Sequence, residues 1–226
     1  MQIPNLNLTV EDVLIGQGAD PKKISVRREH LFSIAEKAME IGMPLIEAAL
    51  FHRELSVISL TKNEILLEDG WKVEHARLVH IMPKAELIDF VIATIGNKLE
   101  NLSSELFQID ISLSLALDGL ANASVDKLTD SAHKQIEDKS KHNGLQVSIP
   151  VGPGSKDWPL EKGQPVLFGV LKPDPEVIQL TDSYLMIPRK SNSFIVGVGI
   201  DMPKHGTVCE YCDLRDSCRY KLRKSD

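Results

Sequence analysis

The order of patterns along the chain predicts an α+β fold. Helical periodicity comes first, then a block of short runs rich in Val, Ile and Leu, then one long helical stripe, then short runs again. Few of these alternate as strand, helix, strand, so the expected sheet is antiparallel or mixed. With 226 residues, 42% of them hydrophobic, the chain is long enough to bury a real core.

Thr9 followed three positions later by Asp12 reads as a helix start, and Val10, Val13 and Leu14 form the apolar side. Gly16, Gly18 and Pro21 end that helix. Over residues 22–42, Ile24, Leu31, Ile34, Ala35, Ala38 and Met39 recur at three- and four-residue spacing, which predicts a second helix closed by Gly42. Residues 45–60, 64–67 and 73–82 are then expected as strands, with Asp69-Gly70 as a hairpin turn. Residues 87–95 form a further strand, ended by Gly96.

The next stretch carries two periods at once. Phe107, Ile109, Ile111, Leu113, Leu115 and Leu117 alternate with smaller or polar residues, a strand signal. Leu113, Leu117, Ala121, Val125, Leu128, Ala132 and Ile136 form a helical stripe. The stripe covers more residues, so a long helix is expected over 111–139, stopped by Asn143-Gly144. Residues 145–159 are dense in turn formers. A short helix over 160–171 follows, diluted by Gly163 and Pro165, and residues 177–180, 183–187 and 193–200 read as strands. The expected organisation is a body over 1–200 and a cysteine-bearing tail over 201–226.

A formal charge of −6 disfavours a general nucleic-acid binder, which needs a basic surface to displace counterions. No run of apolar residues is long enough to span a bilayer, and the start of the chain lacks the basic-then-apolar pattern of a signal peptide. Three cysteines without an export signal suggest a reducing, cytoplasmic setting.

Those three cysteines, Cys209, Cys212 and Cys218, all lie in the tail, with His205 four residues before the first. Thiolates are soft ligands for zinc and iron–sulfur clusters, and a Cys-x-x-Cys pair can place two sulfurs on one ion. The spacing leaves a metal, a cluster and a redox pair open, with His205 as a candidate fourth ligand.

Other chemistry is thinner. The glycines of Gly152-Pro-Gly154-Ser155-Lys156-Asp157 would let backbone amides approach a phosphate, but the spacing is not that of a Walker loop and the prolines remove donors. His75 and His80 fall on opposite faces of the expected 73–82 strand and cannot share an ion there. His52, His133 and His142 stand alone and read as surface or satisfied histidines. Ser191 and Ser193 beside Lys190 have no neighbouring histidine and no strand-to-helix elbow.

Several stretches, taken in order, carry a resemblance. They are Phe90-Val-Ile-Ala-Thr-Ile-Gly96, Leu117-Asp118-Gly119-Leu-Ala-Asn-Ala-Ser-Val-Asp126 and Trp158-Pro159-Leu160. Then come Leu180-Thr-Asp-Ser-Tyr-Leu-Met186-Ile-Pro188-Arg-Lys190-Ser191, Phe194-Ile-Val-Gly197-Val-Gly199, and the tail from Cys209 to Tyr220. The chain resembles the activation domain of cobalamin-dependent methionine synthase in its short, free-standing form. The resemblance spans roughly residues 21–220 and is strongest from 150 on.

The resemblance implies a C-shaped α+β domain that binds S-adenosylmethionine while a partner's oxidised corrinoid cobalt is reduced and remethylated. It implies a reactivation subunit of a methionine synthase-type methyltransferase. The chain has no Asp-x-His-x-x-Gly stretch of its own, so cobalamin would come from a corrinoid-binding protein or a truncated methionine synthase. The electron would come from a donor protein. Gly154, Ser155, Trp158, Asp182, Ser183, Lys190 and Ser191 would lie on the ligand side. A rival reading makes the body a docking module and the tail an electron-transfer or metal-bearing element, without S-adenosylmethionine.

The chain departs from the resembling family's pattern in two places. The family's Arg-x-x-x-Gly-Tyr motif falls on Pro150-x-x-x-Gly154-Ser155, and only the glycine is kept. An arginine there would grip a ligand carboxylate with two charge-assisted bonds, and proline cannot. Losing one such contact costs about 1.5–3 kcal/mol, so S-adenosylmethionine binding is expected to weaken. Asn122 also stands where the family has an acidic residue.

The tail yields one measurable expectation. Anaerobically purified protein should contain bound metal or a cluster, and Cys212→Ser should release it while circular dichroism of the body stays unchanged. Metal-free parent protein would remove the site.

Overall fold

A computed structural model describes residues 1–24, 28–74, 78–154 and 158–202. Strand β1 (Ala49–Leu60) leads into β2 (Glu64–Leu67) and β3 (Lys72–Glu74), and β4 (Leu87–Thr94) lies on the other side of β1. Later in the chain come β5 (Gln146–Val147), the two-residue strands β6 (Gln179–Leu180) and β7 (Met186–Ile187), and β8 (Ser191–Gly199). The main sheet has six strands in the order β3-β2-β1-β4-β8-β5, and every pairing in it is antiparallel. β6 and β7 form a separate hairpin.

The helices are α1 (Val10–Gly16), α2 (Arg28–Gly42), α3 (Leu78–Ile81), α4 (Lys98–Leu106), α5 (Ile111–His142) and α6 (Leu160–Leu171). They cover both faces of the sheet. Ile88, Phe90 and Ile92 of β4 share a core with Trp158 and with Leu167 and Val170 of α6. Val91 belongs to the opposite core with Ala132 and Ile136 of α5, and Ala93 packs with Leu117 and Leu120. β4 is therefore buried on both faces, as its unbroken apolar run Phe90 to Ala93 requires. The α+β class expected from the sequence holds, with an antiparallel sheet and one long helix. Among the described residues no helix is long and apolar enough to cross a membrane.

Several elements follow the sequence reading closely. Thr9 and Asp12 form a reciprocal capping box at α1. Asp69 and Gly70 both take positive φ between β2 and β3, as a tight hairpin turn demands. Asp110 caps α5, accepting from the amide of Leu113 at 3.0 Å, and Asn143 and Gly144 end it. The helical stripe thus prevails over the alternation at 107–117. Its cost is visible, because Ile109, Ile111 and Leu115 are left exposed.

Other elements differ. The expected strand 73–82 stops at Glu74, and Leu78–Ile81 is a short helix. Ile81 and Met82 are buried in succession, which the two-residue period of a half-buried strand does not allow. His80 is consequently helical, and His75 lies outside the described residues. The strand expected from residue 45 begins at Ala49, after a 3-10 turn over Met43–Leu45 that contains Pro44. The second helix starts at Arg28 rather than 22. α4 had no counterpart in the sequence reading, although Leu99, Leu102 and Leu106 keep helical spacing. The strands expected over 177–180 and 183–187 shrink to β6 and β7.

The far half of α5 is tied to the sheet by polar contacts. Lys139 Nζ donates to Glu54 Oε2 at 2.7 Å, and Asp89, buried in β4, is hydrogen-bonded to His52 of β1. His133 Nε2 lies 3.1 Å from the Ser148 carbonyl, and His142 Nδ1 lies 2.6 Å from that of Asp138. These three histidines are partnered, as expected.

The hydrogen bond to Glu54, helped by the negative charges of Glu54 and Asp89, raises the Lys139 pKa above its ordinary 10.5. A raised lysine pKa stabilises the fold below the unfolded-state value and loses that contribution as pH rises through the folded one. Lys139→Met should therefore cost a pH-independent increment through neutrality. Because the pair is half exposed to screening solvent, that increment should stay below about 1 kcal/mol. Urea titrations of parent and variant should converge only above about pH 10.4.

Candidate functional site

β8 and β4 pair in register from Leu87↔Val198 to Thr94↔Ser191. That register sets the connection from β7 into β8 beside α5. The Ile95 amide donates to the Lys190 carbonyl at 3.3 Å, extending the ladder by one bond. The Ser191 hydroxyl lies 2.7 Å from the Pro188 carbonyl and 2.7 Å from Thr94 Oγ1. A carbonyl can only accept, so Ser191 donates to it and receives from Thr94. Residues 188–191 are thereby held against the end of β4.

A cleft of about 400 Å³ opens between this connection and α5. Asp118, Asn122 and Asp126 form one wall, spaced at helical intervals, and Arg189, Lys190 and Asn192 form the other. Lys190 bridges the two walls. Its Nζ lies 2.6 Å from Asp118 Oδ1 and 2.8 Å from Asn122 Oδ1, and the side chain is only 18% exposed. Asp118 is 46% exposed. Arg189 pairs through Nε with Glu100 of α4, a largely buried carboxylate.

Asn122 is set by a contact far away in sequence. Its Nδ2 donates to the Gly16 carbonyl at 3.0 Å and to Asp118 Oδ2 at 3.2 Å. The amide is the group that can serve here, because two acceptors and one ammonium surround it. A carboxylate would meet the acceptors without a proton to give. Gly16 reaches this point because α1 crosses α5 almost backbone to backbone. A Cβ on Gly16 would sit 2.1 Å from the Gly119 carbonyl oxygen, and one on Gly119 would sit 2.7 Å from that of Val13.

The structure therefore brings Lys190 and Ser191 to one cleft, together with Asp118, Asn122 and Asp126, which the residue-level reading had not joined to them. Of the other expected ligand-side residues, Gly154, Trp158, Asp182 and Ser183 do not line this cleft. Asp182 and Ser183 lie exposed in the β6–β7 turn, where Tyr184 N donates to the Thr181 carbonyl and Thr181 N to that of Leu185. Trp158 is 1% exposed in the core under α6, so it anchors its loop from within. Gly154 takes φ +114° and donates to the Trp158 carbonyl at 2.8 Å, which closes the loop. Val151 bridges Ile195 of β8. Ser193 is buried with Gln164 of α6 at 3.2 Å, away from Lys190. Ser155, His205, Cys209, Cys212 and Cys218 lie outside the described residues. Among the described residues no group of His, Cys, Asp and Glu could hold a metal ion.

A second cleft, of about 470 Å³, is lined by Glu47, Gly96, Asn97, Glu176, Gln179 and Ile187 and holds none of the expected residues. Of these two clefts, the Lys190 cleft is the one that sets a half-buried ammonium against carboxylates, an arrangement suited to polar recognition.

No family model matches the chain, and no curated protein matches it. Among solved structures the chain is similar to a crystal structure of the MetH reactivation domain bound to AdoHcy. The two are 16% identical, and the match has a TM-score of 0.61 and covers 81% of this chain and 70% of that one. The likeness is one of fold.

The Asn122 network predicts the outcome of placing an acid at this position. Asn122→Asp would lose the donations to Gly16 and Asp118 and add a like charge beside Asp118. It should lower stability by about 1–3 kcal/mol, read as a fall in the urea midpoint at pH 7. An unchanged midpoint would show that the amide contacts carry no weight.

Proposed function

We propose that this protein supports the reactivation of a corrinoid-dependent, methionine synthase-type methyltransferase and that its Lys190 cleft receives an S-adenosyl ligand. The observation that carries the reading is the likeness in fold, over most of the chain, to a reactivation domain bound to AdoHcy. The cleft supports it, since one wall offers carboxylates and the other an ammonium. The corrinoid belongs to a partner protein in this reading. In the overall reaction the partner's cob(II)alamin would be the substrate, accepting one electron from a donor protein and a methyl group from S-adenosylmethionine to give methylcobalamin and S-adenosylhomocysteine.

A second reading has its own observation. Position 150 is proline, and three cysteines crowd the tail. On that reading the body docks a corrinoid protein, and the tail carries electrons or a metal without an S-adenosyl ligand.

Two measurements separate the readings. Calorimetric titration with S-adenosylhomocysteine should give saturable binding to one site per chain. Mixed with a cob(II)alamin-loaded methionine synthase lacking its own reactivation domain, a reductant and S-adenosylmethionine, the protein should restore the methylcobalamin spectrum. Binding without reactivation would leave a ligand-binding domain of another system. Reactivation without binding would favour the docking module, and the absence of both would end the proposal.

A further inference from the structure

A ligand that carries an amino-acid group presents a carboxylate and an ammonium on adjacent atoms. Its receptor needs a cation and an anion close together, each partly shielded from water. The Lys190 cleft has that arrangement, with Nζ 2.6 Å from Asp118 Oδ1. An ammonium has three donors. Among the described residues, Asp118 and Asn122 occupy two of them, so one remains for an incoming carboxylate. Arg189 also lines the cleft but is engaged by Glu100, whereas Lys190 reaches across to Asp118 and Asn122 of the facing wall. Asp118, nearly half exposed, can meet a ligand ammonium while it still touches Lys190.

The loop that would supply an arginine in the resembling family has Pro150 instead. Among the described residues 150–154 of that loop there is no cation. The cation comes instead from the connection that leads into β8. Asn122 holds it there through its Oδ1, and Gly16 fixes Asn122.

We infer that Lys190 is the anchor for the carboxylate of the ligand's amino-acid end, with Asp118 receiving its ammonium. The inference rests on the proposed S-adenosyl ligand and adds which end of it the cleft recognises. If Lys190 only fastened the β7–β8 connection to α5, its loss would weaken every ligand alike. An anchor is selective, and selectivity is what the test reads.

The 226-residue chain is titrated with S-adenosylhomocysteine and with 5′-methylthioadenosine, which keeps the nucleoside and thioether but lacks the amino-acid end. The parent should prefer S-adenosylhomocysteine by about tenfold to a hundredfold, the range of one charge-assisted contact. Lys190→Met should remove most of that preference and leave 5′-methylthioadenosine affinity within about threefold, whereas Lys190→Arg should retain part of it. Lys156→Met, in the neighbouring loop, should keep the preference. Equal losses for both ligands in Lys190→Met, or transfer of the effect to Lys156→Met, would overturn the inference. So would a parent that binds both ligands equally, and in that case the proposed function would survive. A parent that binds neither would remove the S-adenosyl ligand and this inference together.

Discussion

The site depends on how closely α1 crosses α5. Gly16 and Gly119 leave no room for a side chain at the crossing, and the two backbones meet there. That approach brings the Gly16 carbonyl to Asn122, which in turn directs its own oxygen at Lys190. A methyl group at either glycine would push the helices apart, and overpacking of this kind costs about 1–3 kcal/mol. The larger consequence would be positional, because the carbonyl that orients Asn122 would recede. Helix packing and ligand geometry are thus one constraint expressed at two distances.

β4 supplies the rigid side of the same arrangement. Buried on both faces, it cannot shift without disturbing the α6 core and the α5 core together. β8 pairs along its whole length, and the residues that enter β8 form the second wall of the cleft. One wall is therefore carried by the sheet and the other by the longest helix. Positioning groups on rigid elements in this way limits the freedom a ligand must remove on binding.

Much of this fold was legible because it rests on local periodicity. The stripe from Leu113 to Ile136 marked α5 despite the alternation before it, and Asp69-Gly70 marked the β2–β3 turn. The failures share a cause. The elements missed are short, four residues over Leu78–Ile81 and nine over Lys98–Leu106, and so few apolar positions do not fix a period. The cleft was legible only in part. Lys190 and Ser191 stood out through resemblance, but their partners lie 68 residues away for Asn122 and 97 for Thr94. The contact from Asn122 to Gly16 spans 106 residues. No local pattern encodes such meetings, and a glycine in a helix reads as a weakness until the opposing backbone is seen.

The sheet is also finished unevenly, and its margins matter for the protein's behaviour in a crowded cell. The outermost strands, β3 and β5, are three and two residues long, whereas the interior strands β1, β4 and β8 run for eight to twelve. An unpaired strand offers a row of free amides and carbonyls that a second chain can zip onto. Here such a row is short at each margin. Beyond β5, Ser148 and Val151 continue to shield β8 through their own backbone bonds to Gly197 and Ile195. The long apolar strands, which would template self-association if exposed, are kept to the middle. At the β3 margin the short row is also charged, because Lys72 and Glu74 are the two exposed residues of that three-residue strand.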